Sequence, residues 1–486
     1  MAPFKPSIGV ELDFLLCFRR SDLPMRTDLR PTPGSRVIFP PSVLGMMEAR
    51  IRRTIDDALA RPHSLGDRVI KSNWEAAAPD ALHLRGYQHW TIKAAETYNF
   101  PDQMRDEAFV RTFRWYPFKI ASPALWVTEN SWAEIRTVVQ AMTDDLIIII
   151  PPGAAMNFHY GHGKEYIPFR KLRRIAALLV AVDPLMTQLH PEYRRRDNTA
   201  LSNRLYSRIA HGRPAELTAR ILGADYVEAE PEVPVRRRRP IPIPRPFRRR
   251  TPNFIAPFRR GQLTGYPFST EVFRGSGYAE DNTDDFGPVE IPPAVREILQ
   301  CRNAPTVAEL MRYSPQPDDR PAYSFQAYTF DRYQRAAQNK RTIEFRQMAS
   351  TFEPREVVAH GEVIVRLCEF AAEAPLEELW KIVLDCAVGE NHGTWFDIFD
   401  LLADLELISE ARILQHSVAR FRGETVPKEL KSDTNFSDWH RVFDWVSLLI
   451  GANEEGVSWF DERPAFVLAQ IYVAFFVLYI LFLRGR

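Results

Sequence analysis

The chain has 486 residues and a formal net charge of +1, with 45% hydrophobic and 26% charged residues. This composition is typical of a globular protein with room for one large domain or two ordinary ones. The near-zero net charge gives no bulk attraction to nucleic acid, and we expect no specific nucleic-acid partner. The four cysteines lie far apart without zinc-ligand spacing, which predicts reduced core or surface thiols in a cytosol-facing protein: Cys17, Cys301, Cys368 and Cys386.

The first predicted strand covers residues 7–18, SIGVELDFLLCF. Glu11 and Asp13 stand two positions apart, so both carboxylates project from the same face of this strand. Two like charges this close raise the free energy unless water or a cation neutralises them. The pattern indicates either an edge strand with its acidic face in water or a site for a hard divalent cation such as Mg²⁺.

The next stretch predicts a mixture of helices and short strands. Hydrophobic spacing indicates a helix over residues 43–59 and another over 132–142, the second with Ser131 as its cap. The remaining segments are predicted as strands: 87–92, 116–121 before Ser122-Pro123, and 145–150.

Residues 154–163, AAMNFHYGHG, predict a further strand in which Asn157 and His159 share one face. A histidine in such a place is either a hydrogen-bonded core residue or a ligand. The strand is followed by the most amphipathic helix of the chain, residues 167–189, with Pro168 in its first turn.

Residues 228–287 differ in composition from the rest of the chain, because arginine alternates there with proline, as in PVRRRRPIPIPRPFRRR. Proline at this density prevents regular secondary structure and favours the polyproline II conformation. We expect a disordered insertion. It either docks to an anionic surface or a proline-binding module, or is simply solvated.

A second charged strand is predicted within residues 341–351, RTIEFRQMAST. Glu344 and Arg346 stand two apart and share a face, either as a surface ion pair or as a metal ligand beside a phosphate-binding cation. Their spacing matches that of Glu11 and Asp13, and we expect all four side chains to converge on one polar sheet face. Four helices are predicted after it: 356–372, 376–388, 395–407 and 439–449.

The last segment, residues 465–483, is uncharged and apolar apart from Gln470. About 20 such residues are needed to span a bilayer core of about 30 Å. We predict a transmembrane tail anchor that holds the rest of the chain on the cytoplasmic face of a membrane. The alternative is a buried C-terminal helix.

Together these elements predict an α+β fold in which one sheet face is polar. The strings GVELDF and TIEFRQ, in that order, and the GAAMNFHYG strand with its helix resemble the amidoligase family. That family comprises carboxylate–amine ligases with a glutamine-synthetase-like fold. The resemblance covers residues 7–206 and 306–407. It implies an antiparallel sheet of the glutamine-synthetase-like ligase type with helices on one side.

The resemblance also implies a function: ATP and Mg²⁺ would serve to join a carboxylate to an amine through an acyl phosphate. Glu11, Asp13 and Glu344 would hold the metal, and Arg346 would bind phosphate. His159 would line the metal or substrate pocket as a catalytic residue. The implied domain plan is an amidoligase-like domain in two parts, 1–227 and 288–460, interrupted by the insertion 228–287.

The chain departs from the family pattern at several of its site positions. Lys119 replaces a glutamate, so we predict that Lys119 points into the polar pocket, replaces part of a metal site and contributes there to cofactor binding. The alternative is a solvated surface residue. Asn157 replaces a histidine, an alanine lies near the acid position of WTIKAAE, and Met348–Thr351 replace His-Glu-Gly-Thr. Two functions therefore stay open: an active ligase, or a catalytically inactive ligase-fold protein that binds nucleotide or a partner at a membrane.

Overall fold

An antiparallel sheet of eight strands organises the part of the chain that the structure describes. The structure is a computed structural model that describes residues 4–19, 41–60, 87–94, 113–195, 200–224, 226–228, 289–312, 321–330, 341–391 and 396–422. All these residues belong to the unit Met1–Ser432. The predicted mixed α+β class with an antiparallel sheet is confirmed.

The long first strand lies near the middle of the sheet. The strands are β1 Ser7–Arg19, β2 Thr91–Ala94, β3 Phe113–Ala121, β4 Leu125–Trp126, β5 Ile148–Ile149, β6 Ala155–Gly161, β7 Tyr323–Ser324 and β8 Ile343–Ala349. Their order is β2-β3-β1-β6-β8-β7, and the short β4 and β5 also pair with β1. The two predicted charged strands, β1 and β8, are therefore separated only by β6.

The sheet is apolar on one face because hydrophobic residues alternate along its strands. On β1 the residues Val10, Leu12 and Phe14 are at most 1% exposed and belong to the main hydrophobic core. Phe158 of β6 and Phe345 of β8 belong to the same core. This face packs against helices, so the opposite face is the one that carries the charged residues.

Twelve α-helices are described, and most of their apolar residues join this core. Their bounds are α1 Pro41–Ala60, α2 Glu129–Asp145, α3 Phe169–Met186, α4 Glu192–Arg195, α5 Asn203–Tyr206, α6 Ala215–Ile221, α7 Ile291–Gln300, α8 Ala304–Leu310, α9 Pro354–Glu373, α10 Leu376–Asn391, α11 Ile398–Asp404 and α12 Ile408–Arg422. The helix α9 contacts both β1 and β6.

The packing between α9 and α2 is close enough to require a glycine. A Cβ atom built on Gly361 of α9 would lie 2.7 Å from ring carbons of Trp132 and 3.1 Å from Phe158 Cε1. Carbon atoms in contact normally lie about 3.5–4.0 Å apart. Gly361 therefore lets α9 approach both α2 and the apolar face of β6.

Several predicted boundaries are wrong. The strand predicted over 87–92 begins only at Thr91, and the one predicted over 145–150 shrinks to Ile148–Ile149. The helix predicted to be capped by Ser131 begins earlier, with Thr128 as its cap, because Thr128 Oγ1 accepts from the Ser131 backbone N–H at 3.2 Å. The Ser131 hydroxyl instead donates to the Trp126 carbonyl at 2.6 Å.

The helix predicted over 395–407 is confirmed with shorter bounds, because α11 ends at Asp404, and α12, which was not predicted, follows it as a separate helix. The break lies at Glu406, whose φ of 65° is left-handed. Helices commonly end with a residue in this conformation, but that residue is usually glycine. Because residue 406 is a glutamate, the sequence did not indicate that a helix ends there.

The sequence also led to predictions for the cysteines, for the arginine- and proline-rich insertion and for the apolar tail. All four cysteines are buried free thiols, as one of the two alternatives predicted. Within the described residues, no helix has the length and apolar character that crossing a membrane requires. Of the insertion predicted at 228–287, all residues after Glu228 lie outside the described residues, as do the helix at 439–449 and the tail at 465–483, so those predictions stay untested.

Candidate functional site

The polar face of the sheet gathers charged or ionisable residues from five neighbouring strands, β2, β3, β1, β6 and β8. Residues directly paired across antiparallel strands project to the same face. Glu11 projects from β1 between two rows of paired residues, Lys93–Lys119–Asp13 and Gly9–His159–Glu344–Ser324. The face is thus mainly cationic at its β2–β3 end and carries the carboxylates and the histidine at its centre.

His159 links two acidic strands. Its Nε2 lies 3.0 Å from Glu11 Oε1 and 3.9 Å from Glu344 Oε1. A carboxylate only accepts hydrogen bonds, so the shorter contact requires a proton on Nε2. His159 Nδ1 is buried and has no hydrogen-bond partner among the described residues. The imidazole is therefore oriented through the same nitrogen that faces both carboxylates.

Arg346 lies beside Glu344 on β8. Arg346 Nη2 donates to Glu344 Oε2 at 2.8 Å, so Glu344 presents its other oxygen, Oε1, to His159. The guanidinium has five N–H donors, and this bond uses one of them. A cation suited to phosphate thus adjoins the carboxylate pair.

Arg194, for which the sequence indicated no function, stabilises a bulge in β8. The pairing of β6 with β8 shifts register between Met156 and Phe158. A bulge removes backbone groups from the ladder, and Arg194 Nη2 donates to the Arg346 carbonyl at 2.6 Å. The Arg346 backbone N–H donates to the Ala322 carbonyl at 2.8 Å. Both backbone groups of Arg346 are therefore fixed.

The buried carboxyl group of Asp183 anchors β8 through Gln347. Gln347, which follows Arg346, donates to Asp183 of α3 and accepts from the Tyr323 hydroxyl at 2.9 Å. Ser202 also donates to Asp183, at 2.6 Å. Burial raises the pKa of Asp183, although these hydrogen bonds lower it in part. No sequence pattern distinguishes this aspartate from the exposed acids of other helices.

Lys119 lies between the two carboxylates of β1. Its Nζ is 3.3 Å from Glu11 Oε2 and 3.4 Å from Asp13 Oδ1. Burial alone would lower the pKa of this ammonium, but the charges of Asp13 and Glu11 and their hydrogen bonds raise it overall. Lys119 is therefore charged at neutral pH and points into the polar face, as the sequence predicted.

Glu11, His159 and Glu344 have the geometry of a cation site. One ligand atom from each lies within 4.8 Å of the other two. Ligands sharing an ion at about 2.0–2.2 Å lie at most about 4.4 Å apart, so small side-chain rotations suffice for the distances. His159 Nε2 can bind an ion only after it loses the proton that it donates to Glu11. The two carboxylates suit a hard divalent cation such as Mn²⁺ or Mg²⁺, whereas the imidazole also suits Zn²⁺ or Fe²⁺, so the donor set alone does not select the metal. Three protein ligands also leave coordination positions for water or substrate oxygens.

The predicted convergence of Glu11, Asp13, Glu344 and Arg346 on one sheet face is confirmed. The grouping within that face differs from the prediction. The resemblance assigned Asp13 to the metal and His159 to the metal or substrate pocket. In the structure the candidate cluster contains Glu11, His159 and Glu344, and Asp13 lies outside it beside Lys119. The roles of these residues in metal, cofactor or substrate binding stay predictions.

Comparisons of the chain with protein-family models, curated proteins and solved structures find no match. The resemblance to the amidoligase family remains a prediction from the motifs.

Proposed function

We propose that this protein is an ATP-dependent carboxylate–amine ligase with a glutamine-synthetase-like fold, forming an amide or isopeptide bond through an acyl phosphate. The observation that carries the proposal is the convergence of Glu11, His159 and Glu344 within 4.8 Å, with Arg346 bonded to Glu344 at 2.8 Å. A cation site beside a guanidinium is the arrangement that phosphoryl transfer requires.

The reaction proceeds in two displacements. A carboxylate oxygen of the first substrate bonds to the γ-phosphorus of ATP while the bond to ADP breaks. The amine nitrogen of the second substrate then bonds to the acyl carbon, the carbon–oxygen bond to phosphate breaks, and the amine loses a proton.

The residues of the polar face have separate roles in this proposal. Glu11, His159 and Glu344 hold a divalent cation, which supplies positive charge to the phosphate oxygens when bound. Arg346 binds the transferred phosphoryl group, and its fixed backbone keeps the guanidinium in place. Lys119 lies close enough to the same carboxylates to shape the charge of the site.

A second function, favoured by Lys119, is a catalytically inactive nucleotide- or partner-binding module. Lys119 already neutralises part of the acidic charge that a metal-dependent ligase needs. In that case the polar face binds nucleotide without transferring phosphate. The tail would hold this module at a membrane.

The proposal is tested by trapping the acyl phosphate. The full chain is incubated with ATP, Mg²⁺, hydroxylamine and a mixture of carboxylic acids, and hydroxamate and ADP are measured. The active ligase forms both products in equal amounts. Binding of Mg²⁺–ATP without either product supports the inactive module, and absence of binding refutes the ligase and the nucleotide-binding form of the module.

The site assignment is tested with Glu344→Gln and Arg346→Ala. We expect Glu344→Gln to weaken Mn²⁺ binding by at least about 10-fold, because one of three ligands loses its charge. Arg346→Ala should weaken ATP binding more than binding of Mn²⁺ alone, because its guanidinium would bind phosphate, whereas toward the metal it only orients Glu344. Glu378→Gln, at an exposed position of α10, is the matched control and should change neither.

A further inference from the structure

Lys119 occupies the space between two carboxylates that could otherwise share a cation. Its ammonium lies 3.3 Å from Glu11 and 3.4 Å from Asp13, and its side chain is 27% exposed. Asp13 is directly opposite Lys119 in the pairing of β1 with β3. The backbone register thus places the ammonium at this position, and the contact is not an incidental pairing of two long surface side chains.

The charge around the carboxylates of Glu11, Asp13 and Glu344 is nearly balanced. Glu11, Asp13 and Glu344 carry three negative charges, and Lys119 and Arg346 carry two positive charges within 3.4 Å of them. These five side chains carry a net charge of −1. Binding of one divalent cation changes it to +1, which attracts an anionic substrate. A second divalent cation would raise the local charge to three beside a partly buried ammonium, and like charges in such a place repel strongly.

We infer that the Lys119 ammonium permanently fills the position of a second cation, so that this face binds one divalent cation. That ion is held by Glu11, His159 and Glu344, and none binds between Glu11 and Asp13. The inference rests on the metal site of the proposed function. It goes beyond that function because it sets the number of divalent cations bound per chain at one. It also assigns Lys119 and Asp13 to an ion pair that remains when the cation binds.

The experiment counts bound Mn²⁺ ions per full-length chain by the electron paramagnetic resonance signal of free Mn²⁺. The natural protein is expected to bind one ion. Lys119→Glu should bind a second ion, at least about 10-fold more tightly than any second ion in the natural protein. Adding Asp13→Asn to Lys119→Glu should weaken that second site again, because it removes one of its carboxylates.

Two further variants test whether binding of a second ion depends on where the charge is changed or on the sign of the new charge. Lys93→Glu makes the same charge change at the residue paired with Lys119 on β2. Lys93 is exposed, so this variant should still bind one ion. Lys119→Met removes the ammonium with little change of shape and should also admit a second ion. It replaces Lys119→Glu as the test if that variant does not fold, as judged by circular dichroism.

The outcomes distinguish the inference from the function on which it rests. Absence of Mn²⁺ binding by the natural protein overturns the metal site, and the inference with it. Two ions in the natural protein overturn the inference alone. So does a single ion in both folded Lys119 variants, or a second ion in Lys93→Glu.

Discussion

Replacing Glu390 by glutamine is expected to destabilise the protein strongly, because Glu390 belongs to a buried ion pair. Arg204 Nη2 donates to Glu390 Oε2 at 3.0 Å, and Arg204 Nε lies 2.9 Å from Oε1. The two side chains are only 2% and 7% exposed. The pair joins α5 to α10, so its loss affects packing between two separate parts of the chain.

The expected loss of stability arises because the Arg204 guanidinium stays buried without its charged partner. Removing one partner of a buried pair leaves an uncompensated charge and costs about 3–5 kcal/mol. Glutamine keeps the shape and one acceptor oxygen, so we expect a loss near 3 kcal/mol. Replacing both residues by methionine should recover most of it, because neither charge then stays buried.

The assay is urea unfolding followed by circular dichroism, with the free energy of unfolding taken from the midpoint and slope. Glu216→Gln is the control, since Glu216 pairs with Arg220 at 3.1 Å while the two side chains are 85% and 66% exposed. An exposed pair of this kind contributes about 0.3–0.5 kcal/mol. Equal losses for Glu390→Gln and Glu216→Gln would refute the reasoning.

Two further predictions concern helix packing and pH. Gly361→Ala should cost about 1–3 kcal/mol, because its Cβ would lie 2.7 Å from an indole ring. Gly45→Ala, in an exposed helical position with no atom within 4 Å, should instead stabilise by about 1 kcal/mol. Similar effects of both in urea unfolding would contradict the packing argument. Burial and the neighbouring Glu410 raise the pKa of Glu362 to about 7. The folded protein thus binds a proton between pH 4.5 and 7 that the unfolded chain releases, so its stability falls as pH rises through this window. Glu362→Gln should add about 1 kcal/mol at pH 8, after allowance for solvent screening, and almost nothing at pH 4. Glu410→Gln should give a smaller gain, because burial of Glu362 is the larger cause and remains, and the double variant should gain no more than Glu362→Gln alone. A gain independent of pH would contradict the assigned cause.

The main strands and the polarity of their faces could be predicted from the sequence because both depend on local geometry. Side chains two positions apart on a strand share a face wherever that strand lies. Glu11 with Asp13, and Glu344 with Arg346, are such pairs, and each shares a face in the structure. The long helices α3, α9 and α10 were likewise predicted from their hydrophobic spacing.

The grouping of charges across strands could not be predicted, because it depends on the pairing register. β6 pairs with β1 only as far as Leu12, so Asp13 lies beyond this pairing and faces Lys119 of β3 instead. His159 lies opposite Gly9 and Glu344, which brings it into the cation site in place of Asp13.

The sequence alone thus determined which side chains are available on the polar face, because alternation along a strand is a property of the backbone. Only the tertiary structure decided that His159 lies with Glu11 and Glu344 while the Lys119 ammonium lies between Glu11 and Asp13. That choice depends on which strands are neighbours and at which residue their pairing ends. Both are set by contacts between residues far apart in the chain.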